Sequence, residues 1–229
     1  RYDWARIAGD SQFRELRLPE RALHIRPTLR DVQQFVKDLP TFEAVSLDIE
    51  TPRQIVLKEK VLKSGKTKVS KAYGPSRITC IAFAPAANWA ICVPTTLDYW
   101  GNKADLALVW QHVRDICGHR VPKVLQNGLF DRYHLKRERD IDVVNHLWDT
   151  LCLSHAYDSA SKHSLAKLAS VWTREPYWKD DAKDLDDDDG ECDFEDVKSI
   201  DDFWRYCAKD SAVTYEIKDR IVPVLEADG

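Results

Sequence analysis

The chain has no methionine among its 229 residues, and no apolar run near the roughly 18 residues that cross a bilayer. The second absence excludes a transmembrane helix, and no charged-then-apolar leader marks a secretion signal. A chain without methionine that starts at Arg1 is expected to be a trimmed piece of a longer product. No Cys-x-x-Cys pair occurs among Cys80, Cys92, Cys117, Cys152, Cys192 and Cys207. Most of these lie in apolar stretches, which reads as reduced, buried thiols rather than a disulfide frame or a zinc site. The histidines are scattered, with no pair at metal-ligand spacing. What is present is ordinary: 44% hydrophobic and 31% charged residues exclude global disorder and suit one large domain with its own core.

The net charge of −4 hides two opposed blocks. Residues 180 to 196 hold eleven acids against Lys183, and residues 53 to 77 hold eight bases against Glu59. A concentrated basic run on a mildly basic body suits a polyanionic partner, although a solvated loop looks the same. The acidic run is too charged to pack and is expected to be a solvated loop.

Hydrophobic periodicity orders the rest. Thr28 and Asp31 form a capping box ahead of Leu29, Val32, Phe35, Val36 and Leu39, and Pro40 stops that helix. Phe42 to Glu50, Ile78 to Ala84 and Trp89 to Pro94 read as strands, with a short one near Leu23 to Ile25. Asn102 can cap a helix that buries Leu106, Val109, Val113 and Ile116. A strand over Val121 to Gln126 is followed by helices over Leu129 to Arg139, Asp149 to Tyr157 and Ser164 to Trp172. Ser199 with Asp202 opens a last helix that should end near Pro223. Strands, then alternating helix and strand, then helices imply an α/β fold with a mixed central sheet. The basic run should be a long loop or hairpin tip between the first two of the longer strands.

The carboxylates carry the chemistry. Asp48 and Glu50 share one face of a strand by its period of two, opposite Val45, Leu47 and Ile49. Paired carboxylates repel unless a cation neutralises them, and oxygen ligands suit magnesium or manganese. A strand end dipping into solvent would look the same. In the last helix Phe203, Tyr206, Asp210, Val213 and Ile217 form one stripe, which puts Asp210 on the face expected to be buried, where an unpaired charge is costly. Asp131 follows a strand near the start of a helix, and parallel strands deliver such positions to one sheet edge. Trp172, Tyr177 and Trp178 read as packing residues, with base stacking as the other reading.

Asp48-Ile49-Glu50-Thr51, Asn127-Gly128-Leu129-Phe130-Asp131 and Tyr206-Cys207-Ala208-Lys209-Asp210 resemble, in order, the three motifs of DnaQ-like 3′–5′ exonucleases. The tyrosine four residues before the last aspartate resembles the DEDDy subclass; the histidine subclass has His where this chain has Arg205. Together with Ser164-Leu165-Ala166 and Glu175-Pro176-Tyr177, the chain is most similar to the proofreading domains of family A, phage-type DNA polymerases. The resemblance implies an RNase H-like fold, with a 3′–5′ exonuclease domain over residues 28 to 229, an N-terminal extension over 1 to 27, and insertions at 53–77 and 180–196. It implies two divalent cations, Mg2+ or Mn2+, held by Asp48, Glu50, Asp131 and Asp210, with Tyr206 orienting the attacking water. It also implies that Thr51 and Asn127 meet the substrate strand. The substrate so implied is DNA with a free, single-stranded or frayed 3′ end, and the partner a DNA polymerase domain or replisome protein rather than a membrane. The location so implied is the cytoplasm of a bacterial or phage-infected cell. An RNase D-like exoribonuclease and a non-catalytic nucleic-acid-binding module are the alternatives.

Overall fold

The structure is a computed structural model that describes residues 18–52, 55–61, 67–73, 77–178 and 199–227. Its central sheet has six strands: β1 (Ala22–His24), β2 (Val45–Glu50), β5 (Cys80–Ala86), β6 (Trp89–Pro94), β7 (Lys123–Leu125) and β8 (His146–Asp149). Their spatial order is β1-β6-β5-β2-β7-β8. Strands β2, β5 and β6 run antiparallel in turn, whereas β7 and β8 continue parallel to β2, and β1 lies parallel to β6. A second sheet is the hairpin of β3 (Ile55–Val61) and β4 (Thr67–Tyr73), so the basic run is largely a two-stranded ribbon.

Both faces of the main sheet are covered. Val45, Leu47 and Ile49 of β2 and Ile81 and Phe83 of β5 pack against α1 (Leu29–Asp38) and α3 (Lys103–Gly118). The opposite face of β5 is small, with Cys80, Ala82 and Ala84, and so are Cys207, Ala208 and Ala212 of the long helix α7 (Ile200–Ala227). Small residues on both partners let this helix lie close to the sheet. The remaining helices are α2 (Leu97–Trp100), α4 (Leu129–Arg139), α5 (Thr150–Tyr157) and α6 (Leu165–Trp172).

The caps read from the sequence form. Thr28 and Asp31 make the capping box of α1, Asn102 Oδ1 accepts from Asp105 N–H at 2.8 Å, and Ser199 Oγ accepts from Asp202 N–H at 3.2 Å. Pro85 falls at the register shift between Phe83 and Ala86, where a missing N–H costs no ladder bond.

Two features differ from the sequence reading. Strand β8 has only four residues, His146-Leu147-Trp148-Asp149, too short for a period to show. Helix α7 runs through Pro223 to Ala227, because a proline near a helix end removes only one intrahelical bond. The short strand expected near Leu23 to Ile25 does form, as the edge strand Ala22–His24. Just before it the buried Arg21 pairs with Glu175 at 2.8 Å and Glu216 at 2.6 Å. The acidic run at 180–196, Cys192 and residues 1–17 lie outside the described residues.

Candidate active site

β2 is the middle of the site because helix α7 crosses it. Ser46 Oγ lies 2.6 Å from the Ser211 carbonyl oxygen and 2.8 Å from Ser211 Oγ. One turn earlier on the helix, Cys207 Sγ–H donates to the Asp48 carbonyl at 3.7 Å. Ser46, Asp48 and Glu50 therefore face α7, as the period of two requires. Single ligand atoms of Asp48, Glu50 and Cys207 all lie within 4.8 Å of one another. Tyr206 and Asp210 flank Cys207 on the same turn of the helix.

Asp131 arrives from the other side. β7 pairs with β2 at Val45 and Ser46, and beyond them, among the described residues, the β2 backbone has no strand partner on that side. Asp131, in the first turn of α4, accepts the Ile49 N–H at 3.1 Å through Oδ1. Ile49 stands between Asp48 and Glu50, which places three carboxylates around three consecutive residues of one strand. Asp131 is buried, and burial pushes its pKa up to about 7; the charge of Asp149 adds to the rise and the Ile49 N–H opposes it.

Asp210 is also buried, and it is satisfied: Trp178 Nε1–H donates to its Oδ1 at 2.7 Å. Trp178 is a core residue packed with Leu165, Leu168, Val213 and Ile217, while Tyr177 is exposed and Trp172 meets Tyr157 edge-on. The segment before Trp178 is pinned by Glu175, which binds both Arg21 and Lys209. Tyr206 is half-buried against the same cluster.

The loop between β7 and α4 carries Asn127 and Gly128 of the second motif and is held by Asp149, which the sequence did not single out. Asn127 is exposed and has φ 55°, in the left-handed region that asparagine tolerates. A Cβ on Gly128 would stand 2.7 Å from Leu125 Cβ, so only glycine fits. Asp149 accepts from the N–H groups of Asn127 at 3.0 Å and Gly128 at 2.8 Å, while also capping α5. Asp149 precedes an apolar helix, a signal that shows the cap but not the loop it holds. Trp178 carried no such signal. Thr51 follows Glu50 directly and is half-buried, and the Glu50 carbonyl accepts from Thr79 N–H at 2.9 Å.

A family model described as 3′–5′ exonuclease matches residues 24–226. The chain belongs to this 3′–5′ exonuclease family. It is a 3′–5′ exonuclease domain, and exonucleases of this kind use divalent metal ions. No curated protein sequence matches the chain. Among solved structures, the EXO domain of Nibbler from Aedes aegypti is 14% identical with a TM-score of 0.59, covering 94% of each chain. RNase D from Trypanosoma brucei is 15% identical, with a TM-score of 0.56 over 90% of this chain and 66% of its own. RNase D from Escherichia coli is 13% identical, with a TM-score of 0.54 over 92% of this chain and 46% of its own. The exonuclease domain thus spans under two thirds of the length of either RNase D. At these identities the likeness is one of fold, and the fold is RNase H-like. Among the described residues no helix is long and apolar enough to cross a membrane.

Proposed function

We propose that the domain removes nucleoside monophosphates one at a time from the free 3′ end of DNA, preferring single-stranded or frayed ends, in proofreading during replication or repair. The observation that carries this reading is the bond from Ile49 N–H to Asp131, which brings a third carboxylate onto the strand that bears Asp48 and Glu50. The four carboxylates offer oxygen donors, which fit Mg2+ or Mn2+. Asp48, Glu50, Asp131 and Asp210 would hold the cations. Bound there, divalent cations would supply charge neutralisation at the attacked phosphate and the leaving oxygen. Tyr206 offers a phenol one turn before Asp210 and orients the incoming water. Trp178 fixes the rotamer of Asp210, and Ile49 fixes that of Asp131.

The strand would approach over α4. Leu129 and Tyr133 are 77% and 57% exposed, and Phe130 is exposed between them. Arg137 lies over the Tyr133 ring. Aromatic faces beside cations suit unpaired bases and their phosphates. Thr51 and Asn127 would meet the strand at the near end of that path. The basic run follows the end of β2 that carries Asp48 and Glu50 in sequence, and its concentrated positive charge suits DNA leading away. Neutralising Lys58, Lys60, Lys68 and Lys71 together is expected to flatten the salt dependence of single-strand binding, by about 0.7 in log–log slope for each phosphate no longer neutralised. An unchanged slope in a filter-binding titration would remove the hairpin from the DNA path.

RNase D-like trimming of RNA is the second reading, favoured by the fold likeness to RNase D. End-labelled single strands of DNA and RNA separate the two, because the 2′-hydroxyl tells them apart. Faster release of mononucleotides from DNA is the expected result, with a 3′-phosphorylated end resisting. Preference for RNA would transfer the assignment to the second reading, and products from the 5′ end would defeat both.

The phenol makes a separate expectation. Tyr206→Phe should slow cleavage by about 10²-fold or less, the low end for positioning groups, with binding of Mn2+ and DNA retained. A wild-type single-turnover rate would leave Tyr206 as a packing residue.

A further inference from the structure

Behind the carboxylates lies a second group of metal-ligating side chains. Cys80 begins β5 and Cys92 lies in β6, where it is paired with Ala82. Cys80 and Ala82 share a face, so the two thiols sit diagonally across the hairpin and point at α7. Cys207 comes down from the helix between them. All three are fully buried, and their sulfurs lie within 4.8 Å of one another. Sulfurs bound to one zinc at about 2.3 Å would stand about 3.8 Å apart, so a small contraction closes the set. The surroundings are Ala82, Ala84, Ala90, Phe203 and Trp204, which could as well have enclosed three separate thiols. The sulfurs converge instead.

Cys207 belongs to two groups at once. Its sulfur is also within 4.8 Å of a carboxylate oxygen of Asp48 and of Glu50, both of which are partly exposed. A cation arriving at the acidic pair therefore meets a sulfur that leads to the other two.

We propose that Cys80, Cys92 and Cys207 form a binding site for a thiophilic d10 cation of the zinc and cadmium class, entered past Asp48 and Glu50, and that filling it inhibits the nuclease. Ligand softness separates the two sites: thiolates select such ions, and the carboxylates select magnesium or manganese. As each sulfur–metal bond forms, the thiol proton leaves to solvent. Cys207 then has no proton to donate to the Asp48 carbonyl, and the strand carrying the acids loses the tie to α7 that lies nearest them, keeping only the one at Ser46.

The test uses cadmium as the probe, added to the reduced full chain in excess Mg2+ and read by its ultraviolet thiolate-to-metal charge-transfer band. The band is expected to saturate near one equivalent, to persist in Cys152→Ser/Cys192→Ser, and to be largely lost in Cys92→Ser and in Cys80→Ser. No band, or one that survives in Cys92→Ser and disappears with Cys152 and Cys192, would overturn the site. Cys92→Ala, with circular dichroism as the check on folding, guards against a serine too polar for the core. For inhibition, cadmium should be about tenfold less potent on Cys92→Ser, and extra Mg2+ should not relieve it in the wild type. Relief by Mg2+ with full potency on Cys92→Ser would put the ion on Asp48 and Glu50 instead. The absorption readout stands whether or not the domain cleaves DNA, so failure of the sulfur site and failure of the nuclease reading are distinguishable.

Discussion

Asp48→Ala and Asp210→Asn are each expected to lower cleavage of a single-stranded DNA by on the order of 10³-fold or more. A bound cation supplies several kcal/mol of charge stabilisation at the reacting phosphate, and each 1.4 kcal/mol is about tenfold in rate. Asparagine is the informative choice at 210 because its amide oxygen can still accept the Trp178 N–H, which lies 2.7 Å from the carboxylate in the native chain. Alanine there would strand a buried indole donor at a cost of about 1–3 kcal/mol, mixing a folding defect into the rate. A chelator should remove activity from the native domain, and Mg2+ or Mn2+ should restore it. A native rate in Asp210→Asn, or full turnover in chelator, would defeat the metal assignment.

Asp131→Asn should abolish cleavage by a similar factor and yet stabilise the metal-free protein. The cause is the pKa of Asp131, raised to about 7 from the ordinary 3.8, with burial as the main reason. The folded state binds this proton more tightly than the unfolded state, so wild-type stability falls as pH rises from about 4 through 7. Asparagine carries no charge and keeps an oxygen for the Ile49 N–H. The melting-temperature advantage of the variant should therefore be full above pH 7, shrink as pH falls, and vanish below about pH 4. For a chain of this size each kcal/mol moves the midpoint by about 2–4 °C. Added Mg2+ should close the gap by stabilising the wild type alone, through mass action on the folded state. A variant that melts below the wild type at pH 8 without metal would mean that Asp131 is held by a cationic partner rather than strained by burial.

Both effects come from one trade. A site that gathers carboxylates in a buried place is destabilised until cations arrive, and the surrounding bonds hold it open. Ile49 N–H, Trp178 Nε1–H and the three N–H groups on Asp149 are such bonds. None of these donors is itself charged, so each orients an acid without competing for the cation.

Local patterns showed the parts and their order. The period of two put Asp48 and Glu50 on one face of β2, the helical stripe put Asp210 inward on α7, and the loop-to-helix junction put Asp131 in a first turn. The caps at Thr28, Asn102 and Ser199 were legible because a cap is a bond between neighbours in sequence. The same locality explains what was not legible. β8 is too short to show a period, Pro223 reads as a stop without knowledge of the helix around it, and Trp178 is a single aromatic in an irregular segment.

By itself, then, the sequence determined which residues face which way within each element, and three motifs in order sufficed to place the chain among exonucleases. Only the tertiary structure decided what those faces meet. The strand order β5-β2-β7 sets β2 between an antiparallel and a short parallel neighbour, leaving Ile49 N–H for an acid 82 residues away. The same packing brings Cys207 against Cys80, Cys92 and Asp48, thiols and an acid that read as unrelated along the chain. Periodicity encodes direction relative to the backbone, whereas proximity between distant segments depends on how all the buried faces are satisfied together.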